Sequence, residues 1–186
     1  MEWLPDFHLG WCNGWIYLLL LAATDSLLFA RFPKSTVKRL FDRSGWSQKQ
    51  IISTLTGKLL ALVAIAMLIS TPIKPGSTVS VIGTAIVLLA LSGLVKSLYD
   101  YRNTALDTPV TTGLYRFSRH PQVMMSFLVL LGAGIAVGSW SVLGLLLLVR
   151  VLSHQQLLAE EEACIRQYGE AYRAYQDRTP RYFLWF

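Results

Sequence analysis

The chain has 186 residues, 53% of them hydrophobic and only 15% charged, with a mean hydropathy of +0.44. Soluble domains carry about 25% charged residues, so this composition excludes an ordinary water-soluble domain. The net charge of +6 does not point to nucleic acid, because the basic residues are spread over separate pieces beside apolar runs and form no base-reading module.

The opening, "MEWLPDFHLGW", is acidic and lacks a basic n-region. A cleaved signal peptide is therefore not expected, and the first apolar run is expected to stay. His8 reads as an exposed terminal residue. Apolar segments follow at residues 14–30, 51–73, 79–95 and 123–137, and a fifth begins at Val142. A spanning helix needs about 20 mostly apolar residues, with a lower limit near 17. The first three segments satisfy this. The last two are short and separated only by "GSWS", which predicts a tight helical hairpin with Trp140 near the far interface. After the fifth segment, "SHQQLLAEEEACIRQYGEAYRAYQDR" has no Pro or Gly before Gly169. Its apolar residues Leu157, Leu158, Cys164, Ile165 and Tyr168 recur near a 3.6-residue period, so the helix is expected to continue as an amphipathic extension. The predicted fold is all-α: a single polytopic membrane domain over 1–186, with about five transmembrane helices, a C-terminal hairpin and a cytosolic helical extension.

Charge orients the chain. The link between the first two segments holds Arg31, Lys34, Lys38, Arg39, Arg43 and Lys49, and the next link holds only Lys74. Lys96, Arg102, Arg116 and Arg119 lie between the third and fourth segments, and the hairpin turn has no charge. This alternation predicts an outside N-terminus and a cytosolic C-terminus. Cys12 and Cys164 then lie on opposite sides and cannot pair. Lys58 and Arg150, inside apolar segments near the cytosolic side, read as snorkelling cations. His8 and His154 lack metal-ligand spacing, and no metal site is expected.

Two stretches could carry chemistry. In "GLYRFSRHP", Pro121 suits a first helical position, and His120 flanks the helix start, where free N–H groups can hold a polar ligand. Arg119 there reads either as a membrane-edge anchor or as part of a site. In "AEEEA", a run of Glu is usually a solvated face, but Glu160 shares its face with Gln156 and Cys164, so at least one carboxylate can point into a site. Asp100, Tyr101, Asp107 and "TPVTTG" form an irregular polar loop before them.

"VTTGLYRFSRHP", an apolar hairpin and "EEEACIRQYGEAYRAYQDRTPR", in that order, resemble the C-terminal half of the isoprenylcysteine carboxyl methyltransferase family. That group is similar to the phospholipid methyltransferases and to methanethiol S-methyltransferase-like and nurim-like membrane proteins. The resemblance covers roughly residues 100–182. It implies an integral membrane methyltransferase that uses S-adenosylmethionine and releases S-adenosylhomocysteine. The cofactor would lie in a cytosolic pocket of the half 99–186, with the spans of 1–98 in front of it. The acceptor, a lipophilic small molecule or a prenylated, thiol or carboxylate compound, would enter from the bilayer.

Carried over by position, the implied cofactor residues are Asp100, then Asp107, Thr108, Pro109 and Val110, then Tyr115. Arg119, His120, Pro121, Gln122 and Val123 follow, with the pair Glu160 and Glu161. Glu160 would meet the cofactor's ammonium. Val123 stands where the family keeps a tyrosine. Gln156 stands where isoprenylcysteine enzymes carry a carboxylate-binding arginine, and Arg150 is the nearest cation upstream. Glu160, Arg150 and Gln156 are thus the catalytic candidates. The alternative is a non-catalytic nurim-like protein that keeps the fold. The sequence names neither the acceptor nor an oligomeric state.

Overall fold

Every regular element among the described residues is helical. The computed structural model describes residues 1–3, 6–42 and 46–183, apart from the side chains of Lys49 and Ser53. Arg43 and the Lys49 side chain, counted above among the basic links, lie outside the described residues, as does 184–186. The helices are α1 (Trp15–Arg31), α2 (Lys34–Leu40), α3 (Gln48–Ser70), α4 (Thr78–Arg102), α5 (Pro121–Ala136), α6 (Trp140–Leu152), α7 (His154–Tyr168) and α8 (Glu170–Arg178), with a 3-10 turn at Gly113–Arg116.

Local signals explain the boundaries. A capping box opens α3: Ser47 Oγ accepts from the Gln50 backbone N–H, and Gln50 Oε1 accepts from that of Ser47. Ser77 caps α4 and Ser139 caps α6 in the same way with their hydroxyls. Pro121 occupies the first helical position of α5, as its sequence context predicts.

Three helical stretches are long and apolar enough to cross a membrane: 21 residues at Gln50–Ser70, 25 at Thr78–Arg102 and 29 at Trp140–Tyr168. Apolar α5 has 16 residues, and α1, at 17, sits at the lower limit of spanning length. The fifth segment is therefore longer than its hydropathy alone suggests. No Pro or Gly stops it, and Ser153 is a single turn residue between α6 and α7, with Oγ bonded back to the Val149 carbonyl at 2.7 Å. The basic link after α1 contains α2.

Backbone bonds sort the helix ends into two poles. At one pole, Glu2 N–H donates to Gly138 O and Trp140 N–H to Glu2 O. Gly14 N–H donates to Thr71 O there, and Ile73 N–H to Cys12 O. These gather the start of α1, the end of α3 and the α5–α6 turn. The opposite pole holds the end of α4, α2, the start of α5, α7 and α8. The helices α1, α3, α4, α5 and α6 thus run alternately between the poles. Their core holds one apolar cluster that includes Tyr17, Ala64, Leu68, Val87, Ala133 and Leu146, and a second of Leu28, Phe32, Leu94 and Leu98 between α1 and α4. Gly83 lets α4 lie directly on α5: an added Cβ would fall on the Ala136 backbone nitrogen. Outward-facing Leu59, Leu62, Leu88, Leu89, Leu147 and Leu148 remain exposed, a surface suited to lipid.

Candidate functional site

The site begins at the end of α4. Asp100, paired with Lys96, accepts the Leu114 N–H on Oδ2 at 3.0 Å. Gly113 sits beside it at φ +62°, where an added Cβ would strike the Asp100 carboxylate. Glycine is thus required twice, by the backbone and by the neighbour. The turn buries Tyr115, whose carbonyl accepts the Tyr175 hydroxyl at 2.7 Å. The next residues are pinned to the C-terminal tail. Arg119 N–H donates to Pro180 O at 3.0 Å, and Ser118 Oγ donates to Arg181 O at 2.8 Å.

On α7 the neighbouring carboxylates diverge. Successive helical residues are turned by about 100°, so Glu160 faces a cavity while Glu161 lies beneath it, 3% exposed. Glu161 receives Arg119 Nη1 at 3.0 Å and Gln176 Nε2 at 3.1 Å. Arg181 binds it in a fork, Nε at 2.8 Å and Nη2 at 2.9 Å. Glu160 is held by Gln156 Nε2 at 2.9 Å. His120 joins the two: Nδ1 is 3.5 Å from Glu160 and Nε2 is 3.2 Å from Glu161. Two carboxylates facing both ring nitrogens favour the imidazolium, which donates from each. Burial opposes that charge, but the bonds to Glu160 and Glu161 outweigh it and raise the His120 pKa above its ordinary 6.5.

The cavity measures about 450 Å³, within the range of roughly 300–1,000 Å³ for small-molecule sites. One wall is Pro109, Val110 and Tyr115; a second is Arg119, His120, Gln122 and Val123. Glu160, Cys164 and Tyr168 of α7 form a third, closed below by Tyr172 and Tyr175. Gln122 Nε2 and Arg119 Nε are buried and make no hydrogen bond within the protein. A carboxylate, buried donors and aromatic faces match the ammonium, heteroatoms and sulfonium of S-adenosylmethionine, so the residues present fit that cofactor.

Sequence-implied residues thus divide. Pro109, Val110, Tyr115, Arg119, His120, Gln122, Val123 and Glu160 meet at the cavity. Asp100 shapes the turn behind it, Pro121 is buried in the start of α5, and Glu161 supports from below. Asp107 and Thr108 are exposed, off the wall. Gln156 reaches Glu160 rather than the cavity, and Arg150 stacks on Tyr182, 4.9 Å from its ring centroid. Among the described residues no cluster of three His, Cys, Asp or Glu is placed to hold a metal ion.

Sequence reasoning missed Arg39 and Trp46, both on the lining, and Arg181 beneath it; Tyr101, also on the lining, was expected with Asp100 in an irregular loop, but both lie in the last turn of α4. Arg39 and Trp46 sit in the link that was weighed only for its charge. Arg181 closes the quoted tail and Tyr101 precedes the quoted turn, but nothing in their spacing marks the direction they face.

Residues 94–171 match the family model described as phospholipid methyltransferase. Neither a curated protein nor a solved structure matches the chain. The match runs from the second half of α4 into the first turn of α8, so it takes in the 3-10 turn, the start of α5 and the Glu160–Glu161 pair. Residues 94–171 are therefore similar to the phospholipid methyltransferase family, consistent with the integral membrane methyltransferases that the motifs resemble.

Proposed function

We propose that the protein is an S-adenosylmethionine-dependent methyltransferase of the membrane, acting on a lipophilic acceptor that bears an amine, thiol or carboxylate. The observation that supports this best is the convergence of the family-matched segment on one cavity beside lipid-facing helices. Bound there, the cofactor would supply an electrophilic methyl group on its sulfonium. Glu160 would hold the ammonium end, with Gln156 fixing the carboxylate from one turn below. Gln122 and Arg119 would donate their unpartnered N–H groups to the ligand. His120, kept charged by both glutamates, would hold its proton on the ring rather than act as a base. Methyl transfer from a sulfonium depends chiefly on proximity and alignment, so a rigid, water-poor wall is the main contribution required of the chain. The charge pattern supports a cytosolic cavity.

A second reading, a non-catalytic nurim-like protein, is favoured by Val123, which puts an apolar side chain on the wall where the family keeps a tyrosine. Isothermal titration of the folded protein in detergent with S-adenosylmethionine separates the two. Binding below millimolar, lost in Glu160→Ala, together with methyl transfer to a supplied acceptor, is the expected result. Absence of binding by folded protein overturns the methyltransferase reading.

A further inference from the structure

One wall of the cavity comes from outside the family-matched segment. α2 and the residues after it place Arg39, Leu40, Asp42 and Trp46 on the lining. Arg39 joins that wall to the rest. Its Nη1 donates to Ala105 O at 3.0 Å and its Nη2 to Thr108 O at 2.6 Å. Its guanidinium carbon also lies 4.9 Å from the Tyr101 ring centroid and 5.6 Å from that of Tyr168. The Tyr168 hydroxyl in turn donates to Leu106 O at 3.4 Å. One planar cation therefore ties α2 to the end of α4, the 105–108 loop and the end of α7. Thr108 leads directly into Pro109 and Val110, which are cavity wall.

An arginine in a basic link beside a membrane ordinarily points to lipid headgroups. Lys34 and Lys38 on the same helix are exposed and suit that role. Arg39 turns instead to backbone carbonyls and ring faces. A guanidinium can bond two carbonyls through its fork while its flat face meets an aromatic ring; the compact ammonium of lysine cannot do both.

We propose that Arg39 is a positioning residue for the cavity's ligand: it holds the 105–108 loop, and with it the Pro109–Val110 wall, against α7, so the ligand enters a preformed site. This rests on the cofactor reading above. A binding partner whose site is already ordered keeps affinity that would otherwise go into ordering the loop.

The test uses full-length protein in lipid nanodiscs, as wild type, Arg39→Gln, Arg39→Lys and Lys38→Gln. S-Adenosylhomocysteine affinity, hydrogen exchange of residues 105–110 and, where turnover is detected, KM for the cofactor and kcat are measured. Loss of two hydrogen bonds to a charged group predicts about tenfold or greater weakening in Arg39→Gln. Faster exchange at 105–110 and a raised KM with kcat largely retained should accompany it. Arg39→Lys should fall between, and Lys38→Gln should match wild type. Unchanged exchange, or affinity within about twofold of wild type, overturns the proposal. Wild-type protein that binds no S-adenosylhomocysteine overturns the cofactor reading and the ligand-positioning role with it. Exchange then decides the remaining clamp on its own: acceleration in Arg39→Gln retains it, and unchanged exchange removes it.

Discussion

Glu160 and Glu161 show how adjacent, chemically identical residues acquire different duties. A buried carboxylate is tolerated only when its lone pairs are filled and its charge is matched. Glu161 meets both conditions through Arg119, His120, Gln176 and Arg181, which come from the loop before α5, from α8 and from the tail. Removing it leaves those cations facing one another in a buried space. Glu161→Ala should therefore cost about 3–5 kcal/mol of stability, read as a lower unfolding midpoint in detergent, whereas Glu160→Gln should cost far less. The same cluster gives a pH dependence. His120 faces Glu160 and Glu161 on α7, with Arg119 and Arg181 on the same carboxylate, and its pKa is raised on folding above 6.5. Its contribution is complete below pH 6.5 and is lost as pH rises through the folded value. The midpoint should fall as the solution is taken above that point, and His120→Gln should flatten this part of the profile. The motif spacing locates the glutamate pair in the sequence. The face shared with Gln156 and Cys164 singles out Glu160, but the spacing does not say that Glu161 is the buried one, because three consecutive glutamates in a helix cover most of its circumference.

At the scale of elements, the crossing of α4 and α5 sets the position of the whole site, since α4 carries Asp100 in its last turn and α5 begins at Pro121. Gly83 and Gly132 make that crossing close, with an added Cβ on either glycine meeting the facing helix within 3.0 Å. Membrane helices associate through such small residues because lipid offers no hydrophobic drive for their packing. Gly83→Leu should force the pair apart, costing on the order of 1–3 kcal/mol or more. It should also weaken ligand binding without touching the cavity; a variant with wild-type melting and affinity would show that the close approach is not needed. Apolar runs made these long helices legible in the sequence, and Pro121 marked the start of α5. The seven-residue α2 was not legible: it is too short to display a helical period, and its basic residues mask it as a loop. Its importance to the cavity lies in where Arg39 points, and side-chain direction is set by the packed loop, not by the link's own sequence.

For the whole molecule, the two poles differ in chemistry as well as position. The cavity pole gathers Arg31, Lys34, Lys38, Arg39, Arg102, Arg116 and the charged C-terminal helices. The far pole holds Lys74, paired with Glu2 at 2.6 Å, and the aromatic contact of Trp3 with Trp140, 6.3 Å between ring centroids. Positive charge is retained on the cytosolic side during insertion, while tryptophan settles at either interface, so charge fixes the direction and the aromatics do not. On this basis we propose that the cavity faces the cytosol, where S-adenosylmethionine would be available. The cysteines provide a direct test, because Cys12 is exposed at the far pole and Cys164 lies on the cavity wall. In intact cells an impermeant maleimide should label Cys12 alone. Cys164 should react only after permeabilisation, and S-adenosylhomocysteine should slow that reaction by filling the space in front of the thiol. Labelling of Cys164 from outside would invert the molecule and place the cavity away from the cofactor's compartment. Undiminished Cys164 reactivity with ligand bound would separate the cavity from the ligand site while leaving the orientation intact.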